Sequence, residues 1–183
     1  MVVYRSHSNW DALAIDGVPD QAVAALEIEG LEVVETKRFF KVHRLPTPMT
    51  VDALACRARV GLGLVKGGIR IYGDIEKPIR QFAFLIGGFG ENQWHMPQRA
   101  REAGAEAILI GEMSEFIVIA ALEMGLAVIE TLHSVSETPA IRRQAQMLAD
   151  RLPGLPIHYI PSGIGGFEPT AKPTLMSPPI TAV

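Results

Sequence analysis

The chain has 183 residues, 48% of them hydrophobic, and a formal net charge of −3 at pH 7. This length and a mean hydropathy of +0.20 are typical of one globular domain with a sizeable core. Apolar runs of membrane-spanning length, a signal-peptide layout and clusters of lysine and arginine are all missing, so neither a membrane nor a nucleic acid is an expected partner. Cys56 is the single cysteine, which excludes an internal disulfide and predicts a cytoplasmic protein.

The first part of the chain, up to residue 62, contains two extended stretches and two helices. Extended segments are predicted over 2–6 and 31–45, and helices over 21–28 and 51–62. Thr50 is the predicted N-cap of the second helix. The run Pro46-Thr47-Pro48 is predicted to break the chain before that helix.

From residue 69 onward, short apolar strands alternate with segments of helical length. Strands are predicted over 69–72, 82–86, 107–110 and 126–129, helices over 97–103, 115–124 and 138–151, and a final strand or edge over 156–160. This alternation predicts an α/β fold with a mostly parallel or mixed sheet flanked by helices. The composition then becomes rich in proline, so we predict one domain over 1–162 and a flexible or oligomer-contacting tail over 163–183.

Chemically active side chains follow several of these strands. They are His7 and Asp11 after the first strand, Gly87 to Gly90 after the strand at 82–86, Glu112 after the strand at 107–110, and His133 and Glu137 after the strand at 126–129. Parallel strands end at the same edge of a sheet. The strand-end turns are therefore predicted to form one functional rim, with a metal site beside an anion pocket.

Each of these residues also has a simpler structural interpretation. An acid such as Glu137 is favourable at a helix N-terminus, and spacing alone favours this interpretation over metal ligation. Ser134 to Glu137 also spells a capping box, whereas Pro139 suits the first turn of a helix that begins later and leaves Glu137 free. His133 alone is more often a hydrogen-bonded turn residue than a ligand. The remaining alternatives are an Asx-turn at Asp11 and a tight turn at Gly87 to Gly90.

Four short motifs decide between these interpretations. They are His7-Ser8-Asn9-Trp10-Asp11, Gly87-Gly88-Phe89-Gly90, the segment from Gly104 to Glu112, and His133-Ser134-Val135-Ser136-Glu137. In order and spacing they resemble the dinuclear-metal-centre family of the NGG-one-interacting factor three type, whose members often carry the label GTP cyclohydrolase 1 type 2. The resemblance extends to about Ser162 and corresponds to the C-terminal two-thirds of that family.

The resemblance implies that Asp11, His133 and Glu137 bind metal, with His7 as a further candidate ligand. Imidazole and carboxylate ligands suit zinc, manganese, iron or nickel. The family's His-His-Pro segment, which supplies further ligands, is missing from this sequence. We therefore expect one divalent metal ion rather than two, held by three side chains that leave a coordination position open.

The function implied by the resemblance is that of a metal-dependent, hydrolase-like protein acting on a nucleotide-like or phosphorylated small molecule. Glu112 is the candidate catalytic residue, and Gly87, Gly88 and Gly90 are candidates for holding an anion through main-chain N–H groups. The alternative is a non-catalytic oligomeric metal-binding or interaction protein whose metal site is reduced or lost. Because the family tends to form ring-like hexamers, a homo-oligomer is expected in either case.

Overall fold

The computed structural model describes residues 2–37, 39–64 and 68–161, which form one open, mixed β-sheet. Its strands are β1 (Glu32–Lys37), β2 (Phe40–Thr50), β3 (Arg70–Tyr72), β4 (Pro78–Phe89), β5 (Ala107–Met113) and β6 (Ala127–Glu130). They lie in the order β1-β2-β4-β5-β6-β3. Strand β5 is parallel to both β4 and β6, and the other pairs are antiparallel.

Helices cover both faces of this sheet. They are α1 (Ser8–Asp11), α2 (Val18–Ala24), α3 (Val51–Gly61), α4 (Met96–Glu102), α5 (Glu115–Glu123) and α6 (His133–Arg151), with a 3-10 turn at Glu91–Gln93. Apolar residues of α2, α3 and α6 pack on one face, and those of α4 and α5 pack on the other. This layering confirms the predicted α/β fold class. Among the described helices, none is long and apolar enough to cross a membrane.

The central parts of β4, β5 and β6 are apolar because both faces of these strands are covered. Phe82 and Phe84 of β4 and Leu109 of β5 are fully buried on the face below α2, α3 and α6. Ile108 and Ile110 are fully buried on the opposite face. A continuous apolar run is the pattern expected of such strands. The positions of these strands could therefore be predicted from the sequence.

The beginning of the chain differs from the prediction. Residues 2–6 form no strand, and the side chains of Val2, Val3 and Tyr4 are 82% exposed or more. They have β-forming composition but bury nothing against a neighbouring strand. His7 therefore directly precedes the short helix α1 and Asp11 is its last residue, so neither follows a strand.

Two other strand predictions also need correction. The predicted break at Pro46 and Pro48 lies within β2, where the pairing with β4 is interrupted between Arg44 and Met49. Prolines are tolerated there because no ladder bond requires their missing N–H groups. Residues 156–160 form no strand, although the ring of Tyr159 packs under the guanidinium of Arg142 at 5.3 Å. The predicted tail over 163–183 lies outside the described residues.

His43 on β2 is a buried, neutral histidine. It is 3% exposed, stacks on Phe82 at a centroid distance of 5.4 Å, and its Nε2 has no hydrogen-bond partner among the described residues. Burial lowers the pKa of His43 from its usual 6.5 to about 4, with a smaller opposing effect from Asp20 and a reinforcing one from Lys41. The folded state therefore resists protonation of this side chain.

Replacing His43 by phenylalanine is expected to reduce the loss in the free energy of unfolding that occurs as the pH falls below neutrality. In the wild type the unfolded chain takes up a proton near pH 6.5 and the folded chain near pH 4, so the free energy of unfolding falls as pH drops between these values. The shift corresponds to about 3 kcal/mol. Urea unfolding at pH 7 and at pH 4.5 measures the loss, which should be smaller in His43→Phe and unchanged in the exposed control His158→Phe. Equal losses in the wild type and His43→Phe would contradict this assignment.

Candidate functional site

The junction between β6 and α6 is tied to the end of β5. The main-chain N–H groups of Thr131 and Leu132 donate to the carbonyls of Ile110 and Gly111 at 2.9 and 2.7 Å. Leu132 has φ 79°, a left-handed conformation that costs a leucine roughly 1 kcal/mol. These constraints place His133, the first residue of α6, directly over the end of β5.

Helix α6 begins earlier than predicted. Pro139 lies inside the helix rather than in its first turn, and no acidic residue occupies that first turn. The hydroxyl of Ser136 donates to the carbonyl of His133 at 2.7 Å, so it does not cap the helix. Both the helix-dipole and the capping-box interpretations of Glu137 are therefore wrong, because its position in the helix does not match either one.

His133 lies between two glutamates. Its Nδ1 is 2.8 Å from Oε1 of Glu112 on β5, and its Nε2 is 3.1 Å from Oε1 of Glu137, one turn further along α6. An imidazole that donates to a carboxylate at both nitrogens carries a proton on each. The pairing with Glu137 follows from the i, i+4 spacing on one helix face, whereas the pairing with Glu112 requires the folded sheet.

The glycine-rich segment is part of β4 and not a turn. Gly87, Gly88 and Phe89 lie within the strand, and Gly88 pairs with Glu112 of β5 after a bulge that follows Leu85. Gly90 comes directly after the strand. The turn predicted to begin at Gly87 and Gly88 is therefore not formed there, because β4 continues past the apolar run that was used to locate its end.

These glycines instead make room for the histidine and its two glutamates. A Cβ atom at Gly87 would lie 2.6 Å from His133 Nε2 and 2.8 Å from Glu137 Oε1, and one at Gly88 would lie 2.6 Å from Glu112 Oε1. A side chain at either position would therefore displace His133 or one of its two glutamates. The two neighbouring carboxylates also make this backbone an unfavourable place for an anion.

Asp11 completes the group of acids from the side of α1. It is 8% exposed, and the Nε2 atom of His7 lies 3.9 Å from its Oδ2. The indole N–H of Trp10 donates to the carbonyl of Ala140 at 3.1 Å, which attaches α1 to α6. In the same segment, Oδ1 of Asn9 accepts from the main-chain N–H of His7 at 3.0 Å.

The pKa values of this cluster are shifted in directions that follow from burial and charge. Burial raises the pKa of Asp11, against the smaller effects of His7 and His133. Burial raises the pKa of Glu137, and the charge of Asp11 raises it further. Burial lowers the pKa of His133, but the hydrogen bonds and charges of Glu112 and Glu137 together outweigh burial and raise it. Partly buried acids that repel one another are typical of sites that accept a cation.

The donor atoms suit a divalent transition metal in their chemistry, since they combine imidazole with carboxylates. Their arrangement is different from that of a ready ligand set. Among residues 2–37, 39–64 and 68–161, no group of three His, Cys, Asp or Glu side chains is placed to hold a metal ion. In the same arrangement, Glu112 and Glu137 are hydrogen-bonded to the two ring nitrogens of His133.

Glu130 is the residue of this region that the sequence-based reasoning missed. It is a carboxylate at 8% exposure at the end of an apolar strand, and it accepts hydrogen bonds from Met113 N at 2.8 Å and from the Tyr72 hydroxyl at 3.1 Å. The sequence does contain a signal for this residue, which is an acid at the end of a run of apolar residues. A buried carboxylate requires hydrogen-bond donors for its oxygens, so such a position indicates a specific set of contacts.

Comparison with protein families gives a match over residues 1–162 to the family described as Duf34/NIF3 (NGG1p interacting factor 3). A Clostridium acetobutylicum protein named GTP cyclohydrolase 1 type 2 homolog is 29% identical over 146 residues, which are 76% of this chain and 52% of that protein. A Streptomyces coelicolor protein of the same name is 30% identical over 148 residues, 76% of this chain and 50% of the relative. The chain thus spans about half the length of these curated relatives.

A solved structure has the same fold. The protein ybgI, described as of unknown function, superposes with a TM-score of 0.67 at 25% sequence identity. The match covers 80% of this chain and 56% of that one. The fold described above is therefore shared with a known structure.

Proposed function

Since this chain belongs to the Duf34/NIF3 family, we propose that its His–Glu cluster binds one divalent transition metal and supports a hydrolase-like reaction. The residues that would hold the metal are His133 through Nε2, Glu137 and Asp11, with His7 at the edge of the site. The observation that carries this proposal is the bond between Glu112 and Nδ1 of His133. A carboxylate on Nδ1 of a histidine fixes the ring, and a metal at Nε2 would replace the hydrogen bond between Nε2 and Glu137.

The protein side chains have distinct roles in this proposal. Glu112 orients His133 and strengthens its basicity through the Nδ1 proton. The side chain of Glu112 is 64% exposed, so it can also take a proton from an incoming water molecule. A divalent metal held by these residues would supply the Lewis acidity that activates water for hydrolysis.

The substrate class we propose is a nucleotide-like or phosphorylated small molecule. Its support is the name of the two curated relatives, GTP cyclohydrolase 1 type 2 homolog. The glycines of β4 do not support this substrate class, because the neighbouring glutamate side chains occupy the space beside them and leave no opening for a phosphate.

A second candidate function is non-catalytic binding within a homo-oligomer. It is favoured by the mutual pairing of His133 with Glu112 and Glu137 at 2.8 and 3.1 Å, which satisfies the cluster without a metal. A measurement of metal binding distinguishes a protein whose metal site is lost from an enzyme or a non-catalytic protein that still binds metal. Turnover of nucleotides by the metal-loaded protein separates an enzyme from a binding protein.

Replacing Asp11 by asparagine is expected to weaken zinc or manganese binding by about 10-fold or more, because one negative charge at the site is lost. Calorimetric titration of the metal-free protein measures the affinity. Asp150→Asn makes the same chemical change at an exposed position near the end of α6 and should bind like the wild type. Equal affinities in all three proteins would remove Asp11 from the site.

A further inference from the structure

We propose that Glu130 is a positioning residue that fixes the end of β5 and thereby keeps Glu112 hydrogen-bonded to His133. The inference rests on the proposed function, because it assumes that the Glu112–His133 pair has a role in metal binding. The contacts of Glu130 themselves are independent of any metal.

Glu130 uses both of its carboxylate oxygens. Oε1 accepts from the main-chain N–H of Met113 at 2.8 Å, and Oε2 accepts from the hydroxyl of Tyr72 on β3 at 3.1 Å. At 8% exposure the carboxylate is shielded from water, so both bonds compensate for its desolvation. One side chain thus links three neighbouring strands.

The bond to Met113 replaces a missing part of the sheet. The pairing of β5 with β6 ends where Ile110 lies opposite Glu130. Strand β5 continues to Met113, and on its other side it stays paired with β4 to that residue. On the β6 side, the N–H of Met113 donates to the carboxylate of Glu130 instead of to a main-chain carbonyl of a paired strand.

Glu112 is the residue that benefits from this anchor. It precedes Met113, and its side chain is 64% exposed. Its 2.8 Å bond to Nδ1 of His133 therefore depends on where the backbone of β5 lies. Without the bond from Met113, the hydrogen bonds on the β6 side of β5 end at the carbonyl of Gly111. The backbone that carries Glu112 is then held less firmly, and the carboxylate of Glu112 is no longer kept against the ring.

The test uses metal-free protein and the ¹⁵N and ¹H NMR signals of the His133 imidazole at a fixed pH. Glu130→Leu, which keeps the bulk but removes both acceptors, should move these signals toward their positions in Glu112→Gln. Glu130→Gln should keep them at the wild-type positions, because its amide oxygen still accepts from Met113 and the Tyr72 hydroxyl can accept from its NH₂ group.

A double-mutant comparison separates positioning from general stability. If Glu130 acts through Glu112, adding Glu130→Leu to Glu112→Gln should cause no further change in the His133 signals. A Glu130→Leu protein with a lower unfolding temperature but wild-type His133 signals would overturn the proposal. If Glu130→Leu fails to fold, hydrogen exchange of the Met113 amide in the wild type decides: protection supports the anchor, and exchange at the rate of an exposed amide overturns it.

Zinc titration of the same proteins links the anchor to the site. Zinc affinity should fall about 10-fold or more in Glu130→Leu and stay near the wild-type value in Glu130→Gln. A wild-type protein that binds no zinc would contradict the proposed function alone. The His133 signals and the Met113 amide would still decide the role of Glu130, because neither measurement requires a metal.

Discussion

Replacing His133 by alanine is expected to weaken metal binding by about 100-fold or more, because it removes the nitrogen ligand on which the site is centred. The fold should persist. The side chain is 46% exposed, and its ion pairs with Glu112 and Glu137 are partly screened by water, so they contribute little to stability. Equilibrium titration with zinc and thermal unfolding, measured on the same samples, report these two effects separately.

His158→Ala is the matched control for this experiment. It removes an exposed imidazole from the segment after α6, so any metal bound non-specifically by surface histidines would be reduced equally in both variants. Retention of wild-type zinc affinity in His133→Ala would show that the metal site lies elsewhere. Loss of affinity accompanied by unfolding would instead make His133 a structural residue.

Gly111→Ala is expected to be the most destabilising substitution near the site. A Cβ atom at Gly111 would collide with the carbonyl oxygen of Gly87, and it would lie 2.7 Å from Cα of His133 and 2.9 Å from Oγ of Ser136. The first two contacts are to backbone, so a change of rotamer does not relieve them. The expected loss is about 3 kcal/mol or more, measured by urea unfolding.

Gly154→Ala provides the control for this prediction. A Cβ atom there meets no atom within 4 Å, so the substitution should leave the unfolding midpoint nearly unchanged. Similar midpoints for Gly111→Ala and the wild type would mean that β4, β5 and α6 can separate at this point without cost. That result would contradict the close approach on which the His133 geometry depends.

The parts of the fold that the sequence predicted are those where one local signal dominates. The buried centres of β4, β5 and β6 are continuous apolar runs, and Thr50 caps α3 through its hydroxyl, which accepts from the N–H of Ala53. The failures occurred where distant contacts decide. Pro46 is tolerated in β2 because of a break in pairing with β4, and residues 2–6 have strand composition but no strand neighbour.

The site was predicted as a set of residues and not as an arrangement. The rim hypothesis and the family resemblance together identified His133, Glu137 and Glu112, and the structure brings these three within hydrogen-bonding distance. Sequence spacing could not show that Glu112 bonds to Nδ1, since this pairing depends on how far β5 extends. It also could not show that Pro139 lies inside α6, because proline at the first turn is the commoner pattern.

The most direct test of the proposed metal site is the metal content of wild-type protein that has been purified without a chelator or an affinity tag. Elemental analysis measures this content. We expect about one equivalent of a divalent transition metal per chain, which should be lost in His133→Ala. Absence of metal, even after reconstitution with zinc, manganese and iron, would contradict this expectation and leave the cluster of His133, Glu112 and Glu137 as a metal-free hydrogen-bonded group.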